Sequence, residues 1–355
     1  MNELSNNELL TNPDKKQFIK DFKLPFPTYK SPYFEYYIEL YKDIYDTKTK
    51  YNLLIDAVEI LKNREDTLKS AYYKIMQKII STINEVPAFK TLNESLSNKY
   101  DFKELPNEIC IYNTNLHQLN KYSSDQKIKY NMPYNTKYYL SIDIIKANFN
   151  AVKFYNPEIV LNCETWETLI GKFTDIEYFI QSKIFRQMIF GNLKIKKIAS
   201  IQKFLLAKLY SEIKNKMAVL GKCSTDEIII ATTHETINND YNEILDIINN
   251  LPENMKNIWR IVPMCVHPLG NSQVFIKKSI INTNQINFNN MNNIKLEIKN
   301  IGKDFHSQAY KFYINQPICS YDLKGMKDNW LITYDNSYNF QSIITDTNNE
   351  NNEKN

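Results

Sequence analysis

Tyr139-Leu140-Ser141-Ile142-Asp143-Ile144-Ile145-Lys146-Ala147-Asn148-Phe149 is the stretch on which the fold turns. Its β-branched and aromatic side chains suit the pleated, half-buried surface of a strand, and a carboxylate stands at the edge of the run. About eighty positions later, Ser224-Thr225-Asp226-Glu227-Ile228-Ile229-Ile230 again places acidic residues at the edge of an apolar, β-branched run. Two short strands would hold these groups rigidly at the end of one sheet. Asp143 and Asp226 are then positioned to share metal ions.

The composition frames that reading. A chain of 355 residues that is 43% hydrophobic supplies a real core. Lysine and arginine total 44 against 40 acids, and the resulting +4 is too small to argue for nucleic acid by itself. The distribution says more. From Tyr178 to Lys222 ten basic residues, Lys183, Arg186, Lys194, Lys196, Lys197, Lys203, Lys208, Lys214, Lys216 and Lys222, stand against the single acid Glu212. Much of this segment reads as an amphipathic helix with the stripe Ile201, Leu205, Leu209, Ile213 and Met217, which turns the lysines outward as a solvated face or a phosphate-binding one. The five cysteines form no CxxC pair and the four histidines lie far from them, which argues against zinc. No apolar run reaches the ~18 residues of a spanning helix and no leader is evident, so an intracellular, reduced, cytoplasmic protein without a membrane partner is expected.

In chain order, residues 1–30 contain Pro13, Pro25 and Pro27 and are expected to form a flexible or surface-draped arm. Ser31-Pro32 is a helix-start signal, and no Gly or Pro follows until Pro87. Leu54, Val58, Leu61, Leu68, Tyr72, Met76, Ile79 and Ile83 recur at helical steps, giving one long helix or a hairpin near Thr47–Lys50. The aromatic row Tyr33, Phe34, Tyr36, Tyr37, Tyr41 and Tyr45 reads as core or interface, so the Ser31–Val86 region is a candidate protein-binding element. An irregular connector with a short strand at Ile109–Tyr112 completes a helical N-terminal region and connector over 31–136. An α+β domain follows over 137–344, with helices at Trp166–Phe173, Asp175–Phe190 and Tyr241–Leu251 and strands at Trp259–Val266, Gln273–Ile281, Lys295–Ile298 and Leu331–Tyr334. Residues 345–355 read as a disordered tail. The fold class is α+β, a long helical region followed by an antiparallel sheet packed against helices.

Phosphoryl transfer from a nucleoside triphosphate requires neutralised phosphates and an activated oxygen, which two Mg²⁺ ions (or Mn²⁺) about 3.5–4 Å apart supply. Magnesium takes hard oxygen ligands, so Asp143 and Asp226 are the candidate ligands, and Glu227, on the opposite strand face from Asp226, an outer or alternate one. Arg186, Lys183, Lys194, Lys196 and Lys197 are the candidate cations for the triphosphate.

These residues also carry a resemblance. Ser141-Ile142-Asp143 with the following Ile144 to Phe149 resembles motif A of template-dependent polymerases, and Arg186-Gln187-Met188-Ile189-Phe190-Gly191 resembles the motif B helix of family A DNA polymerases. Thr225-Asp226-Glu227-Ile228-Ile229 resembles motif C, and the order A, B, C is kept. The resemblance covers about residues 138–270; Thr225 stands where a histidine is usual, motif B lacks its tyrosine and first arginine, and B lies unusually near C. It implies a palm domain that binds a nucleic-acid template and nucleoside triphosphates. Asp143 and Asp226 would be metal ligands, Arg186 would sit on the triphosphate, Phe190 against the incoming base, and Asn148 where the sugar 2′ position is sensed. The chain is also similar to uncharacterised proteins of large DNA viruses, which implies a virus-infected cell. Two other readings stay open: a nucleic-acid-binding protein with a palm-like shape and no catalysis, and a helical scaffold built on Ser31–Val86.

Overall fold

The structure, a computed structural model, describes residues 9–95, 137–193, 195–222, 226–270, 274–284, 286–328 and 330–340. Helices come first. Asp14 accepts hydrogen bonds from the backbone and hydroxyl of Thr11 at the start of α1 (Asn12–Asp21), and Pro13 sits in its first turn, where a missing N–H costs nothing. Phe18, Leu24 and Phe26 are buried, Phe18 among the rings of Phe34 and Tyr51. Residues 9–30 are therefore a packed element and not the flexible arm expected from their prolines: Pro13 starts a helix instead of breaking one.

The expected long helix is divided into α2 (Tyr33–Leu40), α3 (Lys42–Tyr45), α4 (Thr47–Asn63) and α5 (Leu68–Glu85), followed by α6 (Pro87–Ser95). Left-handed residues at Asp46 and Glu65 make two of the breaks, and Tyr41 separates α2 from α3. Thr47–Lys50 opens α4, and the turn lies at 64–67, where the Thr67 hydroxyl accepts from the Ser70 N–H to cap α5. Phe34, Tyr37 and Tyr41 are fully buried, as a core reading of the aromatic row requires. The strand expected at Ile109–Tyr112 and the tail lie outside the described residues.

The sheet begins with β1 (Lys137–Ile144) and is reached through α7 (Ala147–Tyr155), α8 (Trp166–Gly171), α9 (Glu177–Gln181), α10 (Lys183–Asn192) and α11 (Ile195–Ile213). Then come β2 (Val219–Lys222), β3 (Glu227–Thr232), α12 (Ile237–Asn249), α13 (Glu253–Lys256), β4 (Trp259–Pro268), β5 (Phe275–Ile280) and β6 (Ile294–Lys299). Their order across the six-stranded sheet is β2-β3-β1-β4-β5-β6, and every neighbouring pair is antiparallel. The fold is α+β.

Strand alternation makes this sheet two-faced. Leu140, Ile142, Ile144, Ile228, Ile230, Ile261, Ile276, Leu296 and Ile298 share one buried face by register. Helices α7, α11 and α12 lie against the sheet, with Ile201, Leu205, Leu209 and Ile213 of α11 and Ile244 of α12 at zero exposure. Each such side chain contributes about 1.5–3 kcal/mol by leaving water. The other face carries Ser141, Asp143, Glu227, Arg260, Lys277, Lys295, Glu297 and Lys299.

Helix α10 joins the two regions, packing on α1 and α5 on one side and on α7 and α11 on the other. The chain closes with α14 (His306–Tyr313) and a two-stranded sheet of β7 (Lys324–Lys327) and β8 (Trp330–Thr333). This segment returns to the N-terminal helices: the hydroxyl of Tyr37 donates to the Tyr321 carbonyl at 2.7 Å and that of Tyr36 to Asp322 at 3.0 Å. The buried apolar side chains form one continuous cluster from Leu10 to Phe340.

Candidate functional site

Three charged residues stand in a row across three strands. Register pairs Asp143 of β1 with Glu227 of β3 on one side and with Arg260 of β4 on the other. Residues directly opposite in an antiparallel pair present their side chains on one face with Cβ atoms about 4.5–5.5 Å apart. The strand ends are locked by backbone bonds, from the Ile144 N–H to the Asp226 carbonyl at 3.0 Å and from the Ile145 N–H to the Ile258 carbonyl at 2.8 Å. Asp143 and the acidic pair thus meet at one edge of one sheet.

Within this row the partner on the face of Asp143 is Glu227, and Asp226 lies one residue upstream, at the bend before β3 begins. Ser141, two residues before Asp143, donates its hydroxyl to Glu227 Oε1 at 2.5 Å and fixes that carboxylate beside Asp143. Arg260 binds Asp143 through two parallel bonds, Nε to Oδ1 at 3.0 Å and Nη2 to Oδ2 at 2.5 Å. The fork raises the guanidinium pKa, and Glu227 and Glu297 reinforce the effect at longer range. Neither Arg260 nor the Ser141 bond follows from sequence, because both depend on strand register.

The candidate phosphate cations are split by the fold. Ser182 caps α10, its hydroxyl accepting from the Phe185 N–H, and Lys183 projects from that first turn. Packing and then the charges of Lys23, Lys295 and Arg186 pull the Lys183 ammonium below its ordinary pKa, while nearby Asp226 opposes them. Arg186 is half-buried, its guanidinium 5.9 Å from the Trp166 ring centroid and close to Glu167, which pairs with Lys146 directly after β1. Lys197 lies half-buried in α11, Lys196 belongs to the same helix, and Lys194 lies outside the described residues.

Phe190 requires a correction. It has no exposed surface and packs with its ring centroid 6.0 Å from Trp166, so it is a core side chain and has no face to offer an incoming base. The apolar stripe of α10 also contains Phe185 and Ile189, and that stripe is what claims Phe190. Asn148, in the first turn of α7, accepts at Oδ1 a 2.8 Å hydrogen bond from buried Gln202 of α11. Its side chain is oriented by that contact and holds α7 against α11.

The donor set suits a hard cation, since Asp143, Glu227 and Asp226 offer oxygen alone. Among the described residues no three acidic, histidine or cysteine side chains converge on one point, so two carboxylates with substrate oxygens and water would complete any coordination sphere. A pocket of about 450 Å³ lined by Gln17, Lys20, Thr67, Lys69 and Tyr73 includes none of these groups. Comparison of the chain with models of protein families, with curated proteins and with solved structures finds no match. Among the described residues no helix is long and apolar enough to cross a membrane.

Proposed function

We propose that this chain is a template-dependent nucleotidyltransferase, joining nucleoside triphosphates on nucleic acid by metal-assisted phosphoryl transfer. The observation that carries the reading is the row Glu227–Asp143–Arg260 at one edge of an antiparallel sheet, with helix α10 and its cations beside it. Asp143 and Glu227, with Asp226 adjoining, would hold Mg²⁺ or Mn²⁺, which when bound neutralises phosphate charge and makes a hydroxyl a better nucleophile. Ser141 keeps Glu227 turned toward Asp143, Lys183 draws phosphates toward Asp226, and Arg186 adds positive potential from its half-buried seat. Arg260 has to give up at least one Asp143 oxygen for metal to bind, which its exposure allows.

Nucleotide incorporation on primed and unprimed templates, with Mg²⁺ or Mn²⁺, tests the assignment. Asp143→Asn and Glu227→Gln are expected to lower incorporation by about 10²–10³-fold, the scale of losing a main electrostatic stabiliser of the transition state. Equal rates in parent and variants would sink it. A second reading, a nucleic-acid-binding protein without catalysis, is favoured by the closed Asp143–Arg260 fork; it predicts no incorporation by the parent and unimpaired, salt-sensitive nucleic-acid binding by Asp143→Asn.

A further inference from the structure

The charged face of the sheet continues beyond the carboxylate row. Register places Lys277 opposite Glu297, Ser279 opposite Lys295 and Phe275 opposite Lys299, and through Met264 and Val266 it sets these side chains on the same face as Arg260 and Asp143. Glu297 sits among three ammonium groups, 3.8 Å from Lys277, 3.9 Å from Lys295 and 3.8 Å from Lys299. At those lengths none is a hydrogen bond. One carboxylate thus lies within 4 Å of three ammonium groups.

Other elements add to the cluster. Lys183 of α10 lies within electrostatic reach of Glu297, Lys295 and Lys23, and Lys50 of α4 within reach of Lys295. The acids that face these cations are Glu297, Glu227 toward Lys299, Asp226 toward Lys183 and Asp46 toward Lys50. Packing removes water from Lys299 and Lys50 and lowers their pKa values, and neighbouring cations push these two and the exposed Lys183 in the same direction. Gathering like charges in partly desolvated ground is costly, and a polyanion laid across them relieves the repulsion. From Lys295 to Lys299 the strip runs about 13 Å along β6, more than one phosphate requires.

We propose that the lysine strip Lys277, Lys295 and Lys299 on β5 and β6 binds the phosphodiester backbone of a nucleic-acid strand, with Glu297 at its centre tempering the affinity. This rests on the nucleic-acid partner of the reading above and not on catalysis. The strip is distinct from the expected patch on α11 and lies on the same face of the sheet as Asp143.

The test is fluorescence anisotropy of the full chain with labelled single-stranded and duplex 20-mers over a range of NaCl. Lys277→Gln/Lys295→Gln/Lys299→Gln is expected to weaken binding at least about tenfold at 100 mM salt and to flatten the salt slope by about 2. Glu297→Gln, which removes the carboxylate nearest all three lysines, is expected to tighten binding about threefold or more. Unchanged affinity in the triple variant, or unchanged or weaker binding by Glu297→Gln, overturns the proposal; the second variant decides even if the first folds poorly. Displacement of the oligonucleotide by tripolyphosphate at an equal phosphate concentration assigns the strip to free polyphosphate and overturns it as well. Normal binding to the strip without nucleotide incorporation would sink the catalytic reading and leave this one standing.

Discussion

Two ion pairs of this protein have similar chemistry and opposite surroundings. Lys311 and Asp322 meet at 2.7 Å with 9% and 0% of their side chains exposed, whereas Arg260 and Asp143 meet at 2.5 Å with 61% and 23% exposed. Both Asp322 oxygens are engaged: Oδ1 accepts from the Tyr36 hydroxyl, and Oδ2 accepts from Lys311 and from the Cys319 N–H. Burial lowers the Lys311 pKa, but Asp322 and Cys319 outweigh it and hold the ammonium above its ordinary value. This pair is committed to joining the C-terminal segment to the N-terminal helices. Asp143, at a strand end and 23% exposed, keeps its pairing with Arg260 open to solvent, and the proposed function would have it exchange that arginine for a cation. Placement in the fold, more than the identity of the partners, separates a tie from a site.

Cutting the buried tie should have the largest effect on stability. Asp322→Ala leaves Lys311 buried and unpaired and is expected to cost about 3–5 kcal/mol in urea unfolding. A loss below about 1 kcal/mol, the scale of a solvent-exposed pair, would erase the contrast.

Asp21 sharpens it from another direction. Its carboxylate is buried but hydrogen-bonded by Gln17, Tyr72 and Tyr178 in place of a cation, and burial pushes its pKa up to about 6. Between about pH 4 and 6 the folded protein holds a proton that the unfolded chain has released, so this group's contribution to stability is full at low pH and lost as pH rises through 6. Asp21→Asn removes this pH dependence, about 3 kcal/mol in all, of which about 2 kcal/mol falls between pH 4.5 and 7.5. Urea unfolding of parent and variant at pH 4.5 and 7.5 measures it: the variant gains relative to the parent as pH rises, and parallel profiles would show that Asp21 titrates normally.

The smallest stability effect belongs to the open pair. Arg260→Gln is expected to change unfolding free energy by less than about 1 kcal/mol. The same variant should bind Mn²⁺ about tenfold more tightly by calorimetry, because a competitor for Asp143 is gone. Unchanged or weaker Mn²⁺ binding would show that Arg260 holds Asp143 in shape and does not compete with metal.

The sequence made some of this visible and hid the rest for definable reasons. The alternation in Leu140, Ile142 and Ile144 and the stripe Ile201, Leu205, Leu209 and Ile213 are local patterns, and they lie where a strand and an amphipathic helix put them. The aromatic row on α2 and α3 was legible as core for the same reason. Register was not legible, because the Asp143–Arg260 bond joins residues 117 positions apart and no local pattern encodes that pairing. The lysine strip was hidden likewise: Lys277 and Lys295 look unremarkable in a lysine-rich chain until strand pairing gathers them around Glu297. The Arg186-to-Phe190 spacing says nothing about which side of α10 is buried, and Pro13 breaks no helix because it stands in a first turn.

The sheet order has a consequence for synthesis. β1 lies between β3 and β4, pairing Lys137 with Val266 and Ile144 with Trp259, so Asp143 acquires both neighbours only after the chain beyond Val266 has left the ribosome. Pairings between such distant residues form after local helices, because their loops must close before the contacts reward it. The hydrophobic run of β1 precedes α7 to α11 in the chain, and its first sheet partner, β3, is made only after those helices. Its lysine neighbours Lys137 and Lys146 flank that run with charge, the means by which an unpaired strand is kept from joining another chain.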